Sequence, residues 1–530
     1  MPTRTDFKLT YSTMFDPPAA LHARFEAALA TIRPHLGAEH AMLIGGSNER
    51  AGARFEVRSP IDARIVLGRF QAGDAAHAEA AVAEARRAFP GWAKTPWTER
   101  VALLRRAVAL IEERVYHLGA VLALEVGKNR MEALGEAQET ADLIAYYCDR
   151  MEANDGFSRP MASDPVAGFV SENTSVMKPY GVWLVIAPFN FPFALAGGPA
   201  GAALVAGNTV VFKPASTTAW SGRLLADVFR DAGLPRGVFN YVTGPGGSLG
   251  EALIGNADIG GATFTGSYAV GMHLYQKFAG GRWPRPCIAE MGGKNAAIVS
   301  RKSDIADAAL GVTRSAFGLS GQKCSACSRV YVEHAAFGDF VLAVHAATAK
   351  IGVGDPTQRQ NWMGPVIDAA AVARFEDAVA QIQSLDERGA IVHGGERLDH
   401  AELAHGHYCA PTIARAPLDH PLWQRELFAP FLLVAPVDDL DEAFARANAS
   451  DYGLTAGFYG SPEETERFFG TVEAGVCYAN RPQGATTGAW PGYQPFGGWK
   501  GSGTTGKAGG SLYYVTQYLR EQSQTRMRRA

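Results

Sequence analysis

The spacing of hydrophobic and polar positions changes once, sharply, along the chain. Over residues 20–36, and again over 76–91 (AHAEAAVAEARRAFPG), apolar residues recur every three or four positions. That period predicts amphipathic helices, the second ending at Pro90-Gly91. Two further helices are expected near 97–117 and 132–153, followed by an irregular polar stretch over 154–167. From residue 180 the runs become short and apolar: VWLVIAP, NTVVFKP, GVFNYVTG and GATFTGS, each followed by a helical pattern. Runs without polar alternation are the signature of strands buried on both faces, so parallel βαβ units are predicted. A second alternation starts after Cys287 with CIAEMGG, NAAIVS, a helix over 303–317 and RVYVEH. The fold class expected is α/β, with two parallel α/β domains.

Two stretches test this reading. Residues 181–212 carry no charge and have the length of a membrane span. Pro188, Asn190, Pro192, Gly197, Gly198, Pro199 and Asn208 interrupt them, and no basic flank sets an orientation. They are read as a buried strand, a loop, a small-residue helix and a second buried strand. Near the C-terminus, SLYYVTQYL (511–519) is aromatic and β-prone. An unpaired strand of that kind is an aggregation hazard, so it is expected to pair with GFVSENTSVMKP (168–179), in this subunit or another. The basic cluster Arg526-Met527-Arg528-Arg529 beyond it is read as a solvated tail.

Composition narrows the class. A chain of 530 residues exceeds what one core supports, which stops growing near roughly 250–300 residues. A formal charge of −3 gives no attraction to nucleic acid or anionic lipid. The N-terminal residues MPTRTDFKLTYSTMFDPP lack an apolar core for secretion. The six cysteines are scattered apart from Cys324 and Cys327, which is no disulfide framework and points to a reducing, cytoplasmic setting.

The chemistry centres on GLSGQKCSACSR (318–329). Zinc needs four ligands, and no second CxxC or histidine cluster stands nearby. A thioredoxin-like pair follows the first strand of a small domain, whereas this pair precedes RVYVEH deep in a long chain. What remains is a single nucleophilic thiolate at Cys324, or two inert buried cysteines. Small neighbours (Gly321, Ser325, Ala326) would let a substrate reach the sulfur and let the Cys324 amide face an oxyanion. Other residues bear on the choice. Glu290, in AEMGGKN, ends a strand before two glycines and suits a base toward water. Asn190, in APFNFP, offers a rigid amide donor. Lys213 ends the second strand, where open parallel sheets bind ligands. Thr265-Gly266-Ser267 ends a strand and opens a helix whose amides can receive a pyrophosphate. TGPGGSLG (243–250) is either a glycine-rich nucleotide loop or a tight turn.

In this order, APFNFP, NTVVFKP, FTGSYAVG, EMGGK, GQKCSACSR, ELFAP and PFGGWKGSG resemble the aldehyde dehydrogenase superfamily over about residues 40–520. The resemblance implies two Rossmann-like domains and a small β oligomerisation arm: 1–158 and 180–288 for the dinucleotide, 289–490 for catalysis, 159–179 and 508–530 for the arm. It implies that Cys324 attacks an aldehyde and that Asn190 and the Cys324 amide hold the resulting oxygen. It implies that Glu290 activates water on the thioester and that Lys213 binds the adenosine ribose. Ser216, Gly266 and Ser267 would complete the NAD site. Glu426 would bind the nicotinamide ribose and Phe428 would pack on the nicotinamide. Cys327 would be a packing residue.

The run GQKCSA, the helical N-terminal extension and QPFGGWKGSGTTGKAGG (494–510) look like the branch that oxidises L-glutamate γ-semialdehyde, the 1-pyrroline-5-carboxylate dehydrogenases. That likeness implies a place in proline degradation, with Ser325 and the amides of Gly509 and Gly510 holding the substrate's carboxylate. Consecutive glycines can form an anion nest. It also implies a homo-oligomer and, as a partner, a proline dehydrogenase. Several positions depart from relatives. Phe189 and Ala429 are mild changes, a Pro/Gly-rich loop lies within 480–498, and the usual aromatic wall residue is displaced by one to Tyr518, so that role is not carried over. Ser216 stands where NAD-selective relatives carry Glu, so NADP is expected to be tolerated beside NAD. The rival readings are a dehydrogenase for another carboxylate-bearing semialdehyde, a non-catalytic protein on the same fold, and a redox sensor using Cys324 and Cys327.

Overall fold

The computed structural model describes residues 8–10, 13–14, 17–484 and 490–530. Two seven-stranded sheets organise it. In the first, the order is Cys287–Glu290, Ile259–Thr265, Val182–Ile186, Thr209–Lys213, Phe239–Tyr241, Met42–Ile44, Ser47–Glu49. The first five strands run parallel; Met42–Ile44 is antiparallel to them and forms a hairpin with Ser47–Glu49. In the second, Ala390–His393, Thr412–Arg415, Phe431–Val437, Cys327–Glu333, Asn295–Val299, Thr455–Tyr459 and Val476–Ala479 follow one another, parallel except for the first strand. The chain passes from one sheet to the other between Glu290 and Asn295, through EMGGK. A strand end and two glycines therefore lie where the sheets meet.

The uncharged run 181–212 is the strand Val182–Ile186, the helix Ala194–Ala206 and the strand Thr209–Lys213, as its composition predicts. Gly207, in the left-handed region at φ 98°, ends the helix. No helix among the described residues is long and apolar enough to cross a membrane.

The helical start holds with different limits. The first helix is Ala19–Ile32. The second, Ala75–Lys94, is opened by a capping box between Asp74 and His77 and runs past Pro90. Its last turn is retained because Trp92 is buried there and its indole donates to the Leu204 carbonyl at 3.2 Å. The expected helix at 97–117 is two, Trp97–Glu113 and Val115–Val126, broken at Arg114. Arg130–Ala153 begins on Asn129, whose side chain accepts the Glu132 amide.

The arm differs most from expectation. SLYYVTQYL is not a strand: Val515–Tyr518 is a 3₁₀ turn, and Tyr514, Val515 and Tyr518 are buried. The pairing strand is the polar segment after it, Leu519–Arg529, aligned antiparallel with Phe169–Pro179 from Leu519 opposite Pro179 to Arg529 opposite Phe169. The supposed basic tail is thus strand, and Arg528 lies 3.6 Å from Glu172. Within the stretch read as irregular, Ser158–Met161 adds a third strand. Both faces of this sheet are largely exposed, so no apolar alternation marks its register in the sequence.

Candidate active site

Cys324 sits on a tight loop between the helix Ile305–Phe317 and the strand Cys327–Glu333. Leu319 (φ 49°), Ser320 (φ 55°) and Gly321 (φ 69°) all take left-handed conformations to make that loop. Gly321 is required for a second reason: a Cβ there would stand 2.2 Å from the Ala429 carbonyl. The sulfur lines a cavity with Glu290, Lys323, Ser325, Thr265, Phe191 and Tyr514 among its walls. Burial pushes its pKa up to about 12, with the carboxylates of Glu426 and Glu290 adding to the shift and the Ser325 amide opposing it. Cys327 is buried in an apolar cluster, its thiol directed to the Arg329 carbonyl, which suits packing.

Asn190 is buried, and its Nδ2 donates to the Gln322 carbonyl at 2.8 Å, two residues before Cys324. One amide hydrogen remains for another acceptor. Glu290 ends its strand opposite Thr265 and lines the same cavity. The Gly498 amide donates to its carboxylate, Oε2 has no partner among the described residues, and burial raises its pKa to about 8.

The loops carrying Asn190 and Cys324 are both fastened to the helix Arg130–Ala153. Glu136 accepts the amides of Phe193 at 2.8 Å and Ala194 at 3.2 Å, and pairs with the buried Lys128 at 2.6 Å. Glu132 pairs with Lys323, the neighbour of Cys324, at 2.7 Å. Sequence reading passed over these four charges. Glu132 and Glu136 sit in a helix that reads as ordinary, Lys128 just before it and Lys323 inside the GQKCSA run, and only their burial and pairing mark them.

At the strand ends of the first sheet, Lys213 is 7% exposed, and among the described residues its ammonium donates to the Pro214 carbonyl at 3.3 Å. Burial lowers its pKa to about 8. Ser216 is exposed in the turn that follows. The Gly266 amide donates to the Glu290 carbonyl at 3.1 Å, so the amides left for a ligand begin at Ser267, whose side chain does not cap the helix Tyr268–Ala279. TGPGGSLG forms a loop and a π-turn over Gly246–Gly250 that brings Gly250 against the Lys213 side chain. Glu426 accepts the Gly293 amide at 3.0 Å, and a Cβ on Gly292 would stand 2.2 Å from its carboxylate. Phe428 (φ 56°) meets Phe189 edge-on at 5.8 Å.

The two glycines assigned to a carboxylate nest are not open in the way their sequence suggests. The Gly509 amide donates to the Phe496 carbonyl at 2.8 Å, and the Gly510 amide donates to the Tyr147 hydroxyl at 3.1 Å. Gly509 and Ser325 do line the cavity. Its wall also includes Phe496, from PFGGWKGSG, and Glu139, Leu143, Tyr147, Trp490 and Tyr514, residues outside the quoted motifs. Part of the Pro/Gly-rich loop over 480–498, residues 485–489, lies outside the described residues. Tyr518 packs on Trp183 at 4.7 Å instead of lining the cavity, in keeping with leaving the aromatic-wall role unassigned.

Residues 47–523 match the model of the aldehyde dehydrogenase family. The chain belongs to that family. It is 36% identical over 498 residues to the 1-pyrroline-5-carboxylate dehydrogenase of Geobacillus thermodenitrificans (strain NG80-2), covering 93% of this chain and 94% of the relative. Among solved structures it resembles the 1-pyrroline-5-carboxylate dehydrogenase from Thermus with bound NAD, at 33% identity and TM-score 0.91, covering 99% and 100% of the two chains. It also resembles proline utilization A from Bdellovibrio bacteriovorus, at 33% identity and TM-score 0.89; 95% of this chain is covered, but it spans only 52% of that longer protein. The α/β architecture with parallel sheets is thus the aldehyde dehydrogenase fold.

Proposed function

We propose that this aldehyde dehydrogenase oxidises L-glutamate γ-semialdehyde, the open form of 1-pyrroline-5-carboxylate, to L-glutamate with NAD, as the second step of proline degradation. The observation that carries the proposal is the cavity that brings Cys324, Glu290 and Ser325 together, with Asn190 fastened to the nucleophile's own loop. The names of the relatives supply the substrate. A chain similar to about half of proline utilization A, which is named for proline use, fits an enzyme supplied by a proline-oxidising partner.

The cofactor fits the residues present. Lys213 is a buried cation with no carboxylate partner among the described residues, at a parallel strand end beside open amides at a helix start. Lys213 and Ser216 would hold the adenosine ribose, Ser267 the pyrophosphate with Gly266 shaping the turn, and Glu426 and Phe428 the nicotinamide end. When bound, the nicotinamide accepts a hydride from the carbon attached to Cys324. Cys324 attacks the aldehyde carbon after losing its proton, which its raised pKa makes dependent on a nearby charge or base. The free amide hydrogen of Asn190 and the Cys324 amide hold the oxygen that becomes negative. Glu290, ionised, takes a proton from water attacking the thioester and releases the acid. Ser216 places no carboxylate against a 2′-phosphate, so NADP is accepted beside NAD. In assembly, the arm over 159–179 and 508–530 pairs with a second copy, while the sheet of 1–158 and 180–288 holds dinucleotide and that of 289–490 the thiol.

The test is an absorbance assay of nicotinamide reduction with glutamate semialdehyde, succinate semialdehyde, butanal and benzaldehyde, each with NAD and NADP. The highest kcat/KM is expected for glutamate semialdehyde. A higher value for succinate semialdehyde would replace the substrate and keep the chemistry.

A further inference from the structure

The cavity wall formed by Tyr147, Gly509 and Tyr514 has a hydrogen-bond polarity that can be counted atom by atom. The count starts at Trp183. Its indole N–H can only donate, and it donates to Thr263 Oγ1 at 3.0 Å. Thr263 is buried, and its other contact is the Tyr518 hydroxyl at 3.0 Å. A buried hydroxyl hydrogen left without an acceptor is costly, so Thr263 donates to Tyr518. Tyr518 in turn donates to the Tyr514 hydroxyl at 3.0 Å. The chain is therefore directed from Trp183 toward Tyr514, whose own hydrogen finds no acceptor among the described residues. Tyr147 reaches the same condition by a second route. Its oxygen accepts the Gly510 amide at 3.1 Å, and its hydrogen has no acceptor among the described residues. The two phenol rings stack at 5.1 Å, and both residues line the cavity that holds Cys324. Two buried tyrosines of this wall, 1% and 4% exposed, thus each carry a hydroxyl hydrogen with no acceptor among the described residues.

We propose that Tyr147 and Tyr514 form a two-hydroxyl clamp that receives the carboxylate of the substrate. This rests on the reading of the substrate as a carboxylate-bearing semialdehyde and assigns its recognition to side chains. The clamp takes the place of the Gly509 and Gly510 amides, which are already engaged. Two phenol donors match the two oxygens of a carboxylate, and hydrogen bonds to a charged acceptor are the stronger kind. Tyr147 also acts through Gly510: by occupying that amide it fixes the loop that closes the wall. Tyr518 touches neither substrate nor sulfur and is a positioning residue, because it sets which way Tyr514 donates.

The experiment uses the full-length wild type and the variants Tyr147→Phe, Tyr514→Phe and Tyr518→Phe, which keep the rings and so the packing. Each is assayed with NAD on glutamate semialdehyde, succinate semialdehyde and butanal, with thermal melting as a check on folding. Tyr514→Phe and Tyr147→Phe are expected to raise KM for the carboxylate-bearing aldehydes about tenfold or more, with a clearly smaller fall in kcat/KM for butanal. Tyr518→Phe is expected to produce a smaller rise of the same selectivity, which loss of packing would not. Equal effects on all three aldehydes, or none, would overturn the clamp. Should wild type prefer succinate to glutamate semialdehyde, the substrate reading falls while the clamp still stands on the contrast with butanal. A wild type that does not discriminate carboxylate-bearing aldehydes from butanal overturns the clamp itself.

Discussion

Two stretches of the same cavity wall are built on different principles. Around Cys324, Asn190 and Glu290 the groups are backbone-defined. Each sits at a strand end or on a short loop constrained by left-handed residues and glycine (Cys324) or by prolines (Asn190), and each lies in a short recognisable string. Around Tyr147 and Tyr514 the groups are side-chain-defined. Tyr147 comes from the helix Arg130–Ala153, and its partner Gly510 lies 363 positions later. The comparison teaches that reaction chemistry here is fixed by local geometry, which a family can keep as motifs. The substrate recognition proposed above rests on long-range packing, which is free to change. Changes at the first wall should therefore affect every aldehyde, and changes at the second should discriminate among them.

The sharpest break is Cys324→Ala. Loss of the nucleophile should abolish oxidation of all aldehydes, by roughly 10⁴-fold or more, while NAD still binds by fluorescence titration. Retained turnover would move the chemistry elsewhere. Next is Glu290→Gln, expected to slow steady-state turnover by about 10²–10⁴-fold, the usual worth of a general base. Acylation should survive, so stopped-flow traces should show a burst of reduced cofactor; unchanged steady-state turnover would remove Glu290 as the base.

The fastening of the two loops gives a third test. Glu132→Gln leaves Lys323 buried opposite a neutral amide. Breaking a buried pair from one side costs about 3–5 kcal/mol, so a lowered melting temperature is expected together with reduced turnover on every aldehyde. A selective loss on the carboxylate-bearing ones would join Lys323 to the second wall instead.

The fourth prediction follows from the Glu290 carboxyl, held near pKa 8 by burial. Where thioester hydrolysis limits the rate, turnover should climb with pH up to about 8 and level above it. The stability consequence has the opposite sign. A carboxyl whose folded pKa lies above its unfolded value of 4.5 favours folding fully only below pH 4.5, and that contribution is lost as pH rises toward 8. Glu290→Gln should flatten that decline in denaturant titrations across pH 5–8. The smallest effect is expected at the cofactor. Wild type should prefer NAD by less than about tenfold in kcat/KM, and Ser216→Glu should widen the preference by about tenfold, near 1.4 kcal/mol.

How much was legible depends on the kind of determinant. The parallel sheets were visible because strands buried on both faces leave uninterrupted apolar runs. The helix through Pro90 was not, because the burial of Trp92 outweighs a local breaker. The arm was placed correctly on 168–179 but given the wrong partner segment. SLYYVTQYL is aromatic because Tyr514 and Tyr518 fill the interior, whereas the true strand is polar because both its faces are exposed.

By itself the sequence determined the class of fold and singled out the candidate thiol with the amide and carboxylate proposed to attend it, since these depend on conformations and residue types that short strings specify. Only the tertiary structure decided that the Gly509 and Gly510 amides are occupied, that Glu132 and Glu136 hold the reacting loops, and that two tyrosine hydroxyls are left as donors. The reason is that a hydrogen bond is a property of a pair. Which atom remains free to meet a substrate is known only once every partner, however distant in the chain, has been placed.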